Sequence, residues 1–286
     1  MVIRLLQQKN KIKKELISII LCAGKGTRIA NNYASIPKTL IKVKAFDDKP
    51  ILEIILETLV GTDMINQYWV VIGHLGKKIN SYLAKFISYN QILRNKVKVI
   101  NAIEDYEKGP LYSLFSVLSS KLISSDQFFL IIPGDTIFED EIILEALKII
   151  KDHKSNRPII FYQVLDGLFQ NKSNSNKTVR ILETSMAYEN GNSYEILEKI
   201  NDSINISDLK IEKTKQILPI FALDYGFLVL LFDLAAKLEA NTISEAINAI
   251  KSDYHIQAYK IETKGNFFDI DSEKDLKYFN KKKSGQ

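Results

Sequence analysis

The residues best equipped for chemistry lie in Leu21-Cys-Ala-Gly-Lys-Gly-Thr-Arg28 and in the Pro37-Lys38 pair that follows. Two closely spaced glycines, Gly24 and Gly26, let backbone N–H groups converge on an anion without obstruction by side chains. Lys25, Arg28 and Lys38 add three positive charges. Arginine grips a phosphate through two parallel hydrogen bonds, and lysine acts as a movable point charge. The spacing is not that of a Walker loop, which needs two glycines five positions apart followed by Lys-Ser/Thr. Nor is it the dinucleotide fingerprint, because the third glycine is missing. A Gly-x-Gly after a strand is often only a tight turn. The apolar run before it, the Thr-Arg and the Pro-Lys together argue for an anion site.

Carboxylates form the second set. Phe129-Leu-Ile-Ile-Pro-Gly-Asp135 ends a buried run on an aspartate, where a carboxylate can hold a divalent metal against phosphate oxygens. Phe267-Phe-Asp-Ile-Asp-Ser-Glu-Lys-Asp-Leu276 places Asp269 and Asp271 on one side of an extended segment. Two such carboxylates repel unless a cation lies between them. A competing reading has Asp271 or Ser272 capping a final helix. Glu107-Lys-Gly-Pro-Leu-Tyr-Ser-Leu114 reads as a strand-to-helix turn, with Gly109 at the turn and Ser113 in the first helical turn. Three scattered histidines and one cysteine, Cys22, offer no general base, disulfide framework or cysteine-built zinc site.

The elements that must position these groups follow from periodicity. Continuous apolar runs at 16–21, 68–73, 97–102 and 128–132 predict buried strands. Helical spacing at 50–60, 77–86 and 111–119 predicts the intervening helices, with Pro50 at the first helical position. Alternating strands and helices specify a parallel sheet with helices on both faces, whose ligands bind at the carboxyl ends of the strands. Both motif-bearing turns fall at such ends. Residues 158–164, 178–184, 193–199, 216–221 and 256–261 read as further strands, some antiparallel, and 166–177 as a polar stretch. The segment 225–232 is a further apolar segment. Helices are expected at 244–251, capped by Thr242 or Ser244, and at 271–281. Tyr68, Trp69, Phe128 and Phe129 sit inside strand-like runs and are assigned to the core.

The fold class is therefore α/β, a Rossmann-like, mostly parallel mixed sheet in three α/β/α layers. The expected organisation is a basic extension at 1–15 and a single domain at 16–286. Residues 16–151 form its nucleotide-binding half, and 152–286 an acceptor-binding half with a metal-binding C-terminal segment. The 286 residues suffice for a sizeable core. A hydrophobic fraction of 46% and a charged fraction of 26% exclude disorder as the default. The net charge of +5 gathers at both ends as solvated tails, with no basic stripe of the kind that binds nucleic acid. No apolar run nears the ~18 residues that span a bilayer. No export signal is read either, so residence in the cytoplasm is expected.

The loop resembles the signature of the nucleotidyltransferases that make activated sugars and polyols: strand, Leu-x-x-Gly-x-Gly-Thr-Arg, then Pro-Lys-x-Leu. This chain carries IILCAGKGTR, PKTL and KPILEIILETL, and the order of motifs is similar to inositol-phosphate and sugar-phosphate cytidylyltransferases of GT-A type. The resemblance implies that Leu21, Ala23, Gly24, Lys25, Gly26 and Thr27 wrap an NTP's triphosphate. It further implies that Arg28 and Lys25 hold the leaving pyrophosphate and that Lys38 bridges the reacting phosphates. Asp135 and Asp271, with Asp269 ranked below them, would bind Mg²⁺. Gly109 and Ser113 would contact the base, although Pro110 replaces a common asparagine and removes a donor. Lys199 would contact the acceptor's phosphate, and Asp224 and Gly226 would form an acceptor-binding turn. The implied activity is Mg²⁺-dependent transfer of NMP, CTP favoured, to a phosphorylated sugar or polyol. The implied partners are thus an NTP and a phosphorylated small molecule, with assembly into a homo-oligomer left open.

Three rival readings remain. One is guanylyl transfer to a cofactor precursor such as a molybdopterin or cobinamide phosphate. Another is a glycosyltransferase using Asp269 and Asp271. The third is a non-catalytic, transferase-like regulatory subunit.

Overall fold

A computed structural model describes residues 14–29, 33–102, 105–153, 155–165, 178–189, 191–205 and 214–284. The expected basic extension up to residue 13 and the polar stretch 166–177 lie outside the described residues.

Among the described residues the first element is β1 (Glu15–Cys22), whose apolar run alternates between two faces. Ile20 and Cys22 enter one core, and Ile17 and Ile19 the other. Two short strands, β2 (Lys42–Val43) and β3 (Lys49–Pro50), lead into α1 (Ile51–Gly61). Pro50, expected at the first helical position, is instead the N-cap, and the helix starts one residue later at Ile51. Next come β4 (Gln67–Ile72), α2 (Gly76–Tyr89) and β5 (Val97–Asn101). The helix expected at 111–119 is only α3 (Pro110–Phe115). Beyond it, Val117 and Leu118 donate to carbonyls three residues back, and the Ser116 and Ser119 hydroxyls also take up local carbonyls. Serine side chains compete with the helical ladder in this way.

The chain continues through β6 (Gln127–Pro133), β7 (Thr136–Phe138), α4 (Asp140–Asp152) and β8 (Ile159–Val164). The long hairpin β9 (Thr178–Glu189) and β10 (Asn192–Asn205) outruns the shorter strands expected there. β11 (Lys215–Asp224) runs into α5 (Tyr225–Leu238), so the apolar segment at 225–232 is a helix. α6 (Ile243–Ile250) starts with a capping box between Thr242 and Glu245, which decides for Thr242 over Ser244. β12 (Gln257–Lys260), β13 (Phe267–Asp269) and α7 (Glu273–Ser284) complete the fold.

Nine strands form one mixed sheet in the order β5-β4-β1-β6-β11-β8-β12-β10-β9. The β5-β4-β1-β6 portion is parallel. β11 then runs antiparallel between β6 and β8. β9 also pairs with β11 through Leu182 and Ile181, so the second half of the chain curls onto the sheet begun by the first. Helices cover both faces. α1, α2, α4 and α7 pack over one core, and α3, α5 and α6 over the other. Trp69, Tyr68 and Phe129 are fully buried, as assigned. None of the helices formed by the described residues is long and apolar enough to cross a membrane.

Candidate active site

Three segments far apart in sequence meet beyond the carboxyl ends of β1 and β6. The first is the glycine loop. Gly26 has φ of +59°, and a β-carbon on it would lie 3.1 Å from the Lys38 β-carbon, so glycine lets the loop rest on the Lys38 stem. The second is Gly134-Asp135. Gly134 donates to the Leu21 carbonyl at 2.9 Å. It is wedged against Cys22 and Thr39, so any side chain here would displace Asp135. The third is β13, which pairs antiparallel with β7 and sets Asp269 opposite Thr136. Ile270 donates to the Asp135 carbonyl at 3.1 Å, locking the two acidic segments together.

The result is a charge cluster. Lys38 Nζ lies 2.5 Å from Asp135 Oδ2 and 2.6 Å from Asp271 Oδ1, with its side chain only 9% exposed. Arg28 Nη1 meets the other oxygen of Asp271 at 2.7 Å from a largely exposed position. Burial alone would lower the Lys38 pKa, but Asp135 and Asp271 outweigh it and hold the ammonium above its usual value. For Asp271, burial pulls upward, and Lys38 and Arg28 more than offset it, leaving the carboxyl below its ordinary range. Lys25 pairs instead with Glu107 at 2.8 Å, both of them well exposed.

Asp135, Asp269 and Asp271 offer carboxylate oxygens within 4.8 Å of one another. Three hard oxygen donors on a pinned backbone suit a small divalent cation. That Lys38 bridges two of them confirms that the pocket demands positive charge. Ser272, not Asp271, caps α7. Its hydroxyl accepts from Asp275 N, and its N–H donates to the Asp275 carboxylate at 2.8 Å. Asp271 is thereby left to the cluster.

Other expected site residues fall differently. Gly109, with φ of +126°, is pressed against the Asn241 carbonyl, so it fixes where α3 begins. Ser113 is buried, and its hydroxyl turns back to the Gly109 carbonyl at 3.4 Å rather than toward a cleft. Lys199 is exposed at a β-bulge, which brings Glu198 and Lys199 onto the surface side by side. Leu21 is the penultimate residue of β1, Ala23, Gly24 and Thr27 follow the strand's carboxyl end, and Gly24 has open space around it.

Asp224 and Gly226 are not brought to this site. Asp224 pairs in register with Phe128 at the start of β6, seven residues before Asp135, so roughly 20 Å away. There it caps α5 by accepting from Phe227 N at 2.9 Å and pairs with Lys14 at 3.0 Å. What borders the carboxyl end of β6 is the register shift in β11 between Ile217 and Phe221, around Pro219. Sequence reading also gave no role to Glu107 or Tyr106, which stand beside Lys25. The only signal for them was their place in the turn before Gly109.

Comparison with known proteins bears on the fold and the family. Residue for residue, the chain is 32% identical over 168 residues to "Bifunctional protein GlmU" of Methanococcus maripaludis, covering 58% of this chain and 35% of that protein. It is 31% identical over 125 residues to the Methanocaldococcus jannaschii protein of the same name, covering 44% of this chain and 26% of that one. The matched regions thus span about a third or less of these relatives' length. Among solved structures, the inositol-1-phosphate CTP transferase from T. maritima superposes with a TM-score of 0.66 at 15% identity, over 94% of this chain and 96% of that one. A UDP-glucose pyrophosphorylase complexed with UDP-glucose gives 0.69 at 14% identity, over 95% and 100%. These establish a shared α/β fold of GT-A type. The family model for the MobA-like NTP transferase domain matches residues 18–168, more than half of the chain, and the chain belongs to that family.

Proposed function

We propose that the protein transfers a nucleotidyl group from an NTP, with CTP favoured, to a phosphorylated sugar or polyol and releases pyrophosphate. The observation that carries this reading is the convergence of Lys38 and Arg28 with the three aspartates at the glycine loop. In the reaction, an acceptor phosphate oxygen attacks the α-phosphorus. The bond to the β-phosphate oxygen breaks, and pyrophosphate leaves with the electron pair. The attacking phosphate is already anionic near neutral pH, so no general base is required.

The backbone N–H groups of the glycine loop bind the triphosphate. Arg28 and Lys25 take the charge that grows on the departing pyrophosphate, and Lys38 orients the reacting phosphates. Asp135, Asp269 and Asp271 would hold Mg²⁺, which when bound neutralises phosphate charge and orients the α-phosphate. Catalysis is then positioning plus preorganised electrostatics. Lys199 is proposed to pair with the acceptor's phosphate. Support for a sugar or polyol acceptor comes from the structural relatives, named for glucose and inositol-1-phosphate chemistry.

The test is pyrophosphate release with CTP, UTP, GTP, ATP and dTTP, each paired with sugar-, inositol-, glycerol- and choline-phosphates, with and without Mg²⁺. Release that requires one base, one acceptor and Mg²⁺ supports the reading, and chelation with EDTA should abolish it. Absence of both release and NTP·Mg²⁺ binding overturns it in favour of a non-catalytic role.

A further inference from the structure

The glycine loop and Asp135 fix where phosphates lie, but not which side of β1 receives the base. β6, β11 and β8 lie to one side of β1, and β4 and β5 to the other. The acidic cluster and the β11 register shift occupy the β6 side. On the other side, the ends of β1, β4 and β5 are covered by a short helical turn, Asp105–Lys108, and then α3.

Tyr106 stands in that turn. A β-carbon on Gly73 would lie 2.7 Å from Tyr106 Cγ and 2.9 Å from the Ala23 β-carbon, so only glycine lets this ring settle against the ends of β4 and β1. The backbone around it is tied down. Ala102 donates to the Ile72 carbonyl at 2.8 Å, His74 to Ala23 at 3.1 Å and Gly109 to Tyr106 at 3.2 Å. Yet Tyr106 is only half-buried, and its hydroxyl has no hydrogen-bond partner among the described residues. The hydroxyl is not enclosed, so it is open to a ligand that enters beside the ring. Tyr106 stands beside Lys25 of the glycine loop. It is thus a preset aromatic surface with an unused hydroxyl, next to the loop assigned to the triphosphate.

We propose that Tyr106, seated on Gly73 and Ala23, forms a wall of the nucleobase pocket and takes part in selecting the NTP. The inference rests on the nucleotidyl-transfer reading. The ring contacts the base, and the hydroxyl serves the base edge or ribose. Gly73 acts through the ring as a positioning residue, since any side chain there would lift Tyr106 away.

Calorimetry of NTP·Mg²⁺ and of inorganic pyrophosphate with the full chain tests this. Pyrophosphate has no base, so it reports on the loop alone. Base–aromatic contacts predict that Tyr106→Ala weakens the preferred NTP by about 5- to 150-fold. It should also narrow the differences among NTPs and leave pyrophosphate affinity unchanged. Gly73→Ala should reproduce that pattern while keeping the tyrosine, and the double variant should be no worse than either single one. Tyr106→Phe isolates the hydroxyl and preserves the packing. Equal loss of NTP and pyrophosphate in the alanine variants, or no loss of NTP, overturns the inference. Failure of the wild-type protein to bind any NTP overturns the transferase reading itself, and the inference with it.

Discussion

Replacing Lys38 with methionine should lower stability and, in the same variant, create a strong response to Mg²⁺. The Lys38 ammonium sits 2.5 and 2.6 Å from two carboxylates, and its side chain is 9% exposed. Methionine keeps the packing and removes the charge. Three carboxylates then face one another within 4.8 Å, with Arg28 still paired to Asp271. At an effective dielectric of about 20, a pair of charges at that distance repels by about 3.5 kcal/mol. Asp135 and Asp271 are 31% and 23% exposed, so solvent screens part of this. Loss of a buried partner costs about 3–5 kcal/mol at most, and about 2–3 kcal/mol is expected here. At about 2–4 °C per kcal/mol, the melting temperature should fall by roughly 4–12 °C.

Millimolar Mg²⁺ should restore most of that loss in the variant, because a divalent ion answers the same carboxylates. In the wild-type protein Lys38 competes for them, and Mg²⁺ alone should shift melting little. The sign of the pH dependence follows from the two pKa directions. Asp271 is depressed by folding, so its contribution is present above about pH 4 and is lost as pH falls through its lower folded value. Lys38 is raised, so its contribution is complete below about pH 10 and is lost as pH rises through its higher folded value. The gap between wild type and variant should therefore close below about pH 4, where protonation relieves the repulsion. Thermal melts at pH 3.5 and 7.5, with and without Mg²⁺, check each part. An unchanged melting temperature, or equal stabilisation of both proteins by Mg²⁺, would refute the reasoning. Turnover should also fall by about 10²–10³.

Asp224→Ala should destabilise the fold by about 1–2 kcal/mol through loss of the α5 cap and of the Lys14 pair, while kcat and KM for the acceptor stay unchanged. A raised acceptor KM with unchanged stability would return Asp224 to the acceptor site. Cys22 is buried, and burial followed by the Asp135 charge pushes its thiol well above its ordinary pKa. It should resist a thiol-specific reagent in the native protein at pH 7.5 and react fully in guanidinium, which absorbance of the released chromophore would show.

Local pattern determined a large part of this protein. Apolar runs of strand length, helical spacing between them and glycines at the first turn were enough to place the parallel strands and the phosphate-binding candidates, because these features depend on neighbours a few residues apart. The same holds for the core assignment of Trp69 and Phe129, whereas Thr242 and Ser244 were both candidate caps until the capping box with Glu245 decided for Thr242. Ambiguity began where one residue type serves two local roles. Asp271 and Ser272 are both good caps, and only the Ser272–Asp275 hydrogen bonds show which one is spent on the helix. Asp224-Tyr-Gly226 looked like a ligand turn, yet antiparallel pairing of β11 with β6 carries it to the far end of the sheet. Periodicity reveals that a strand exists but not its partner or direction. The joining of Asp269 and Asp271 to Asp135 depends likewise on β13 finding β7, a pairing that no local pattern encodes. Tertiary structure alone decided that meeting, because register between distant segments is set by which faces can be buried together, and that choice is made by the whole chain at once.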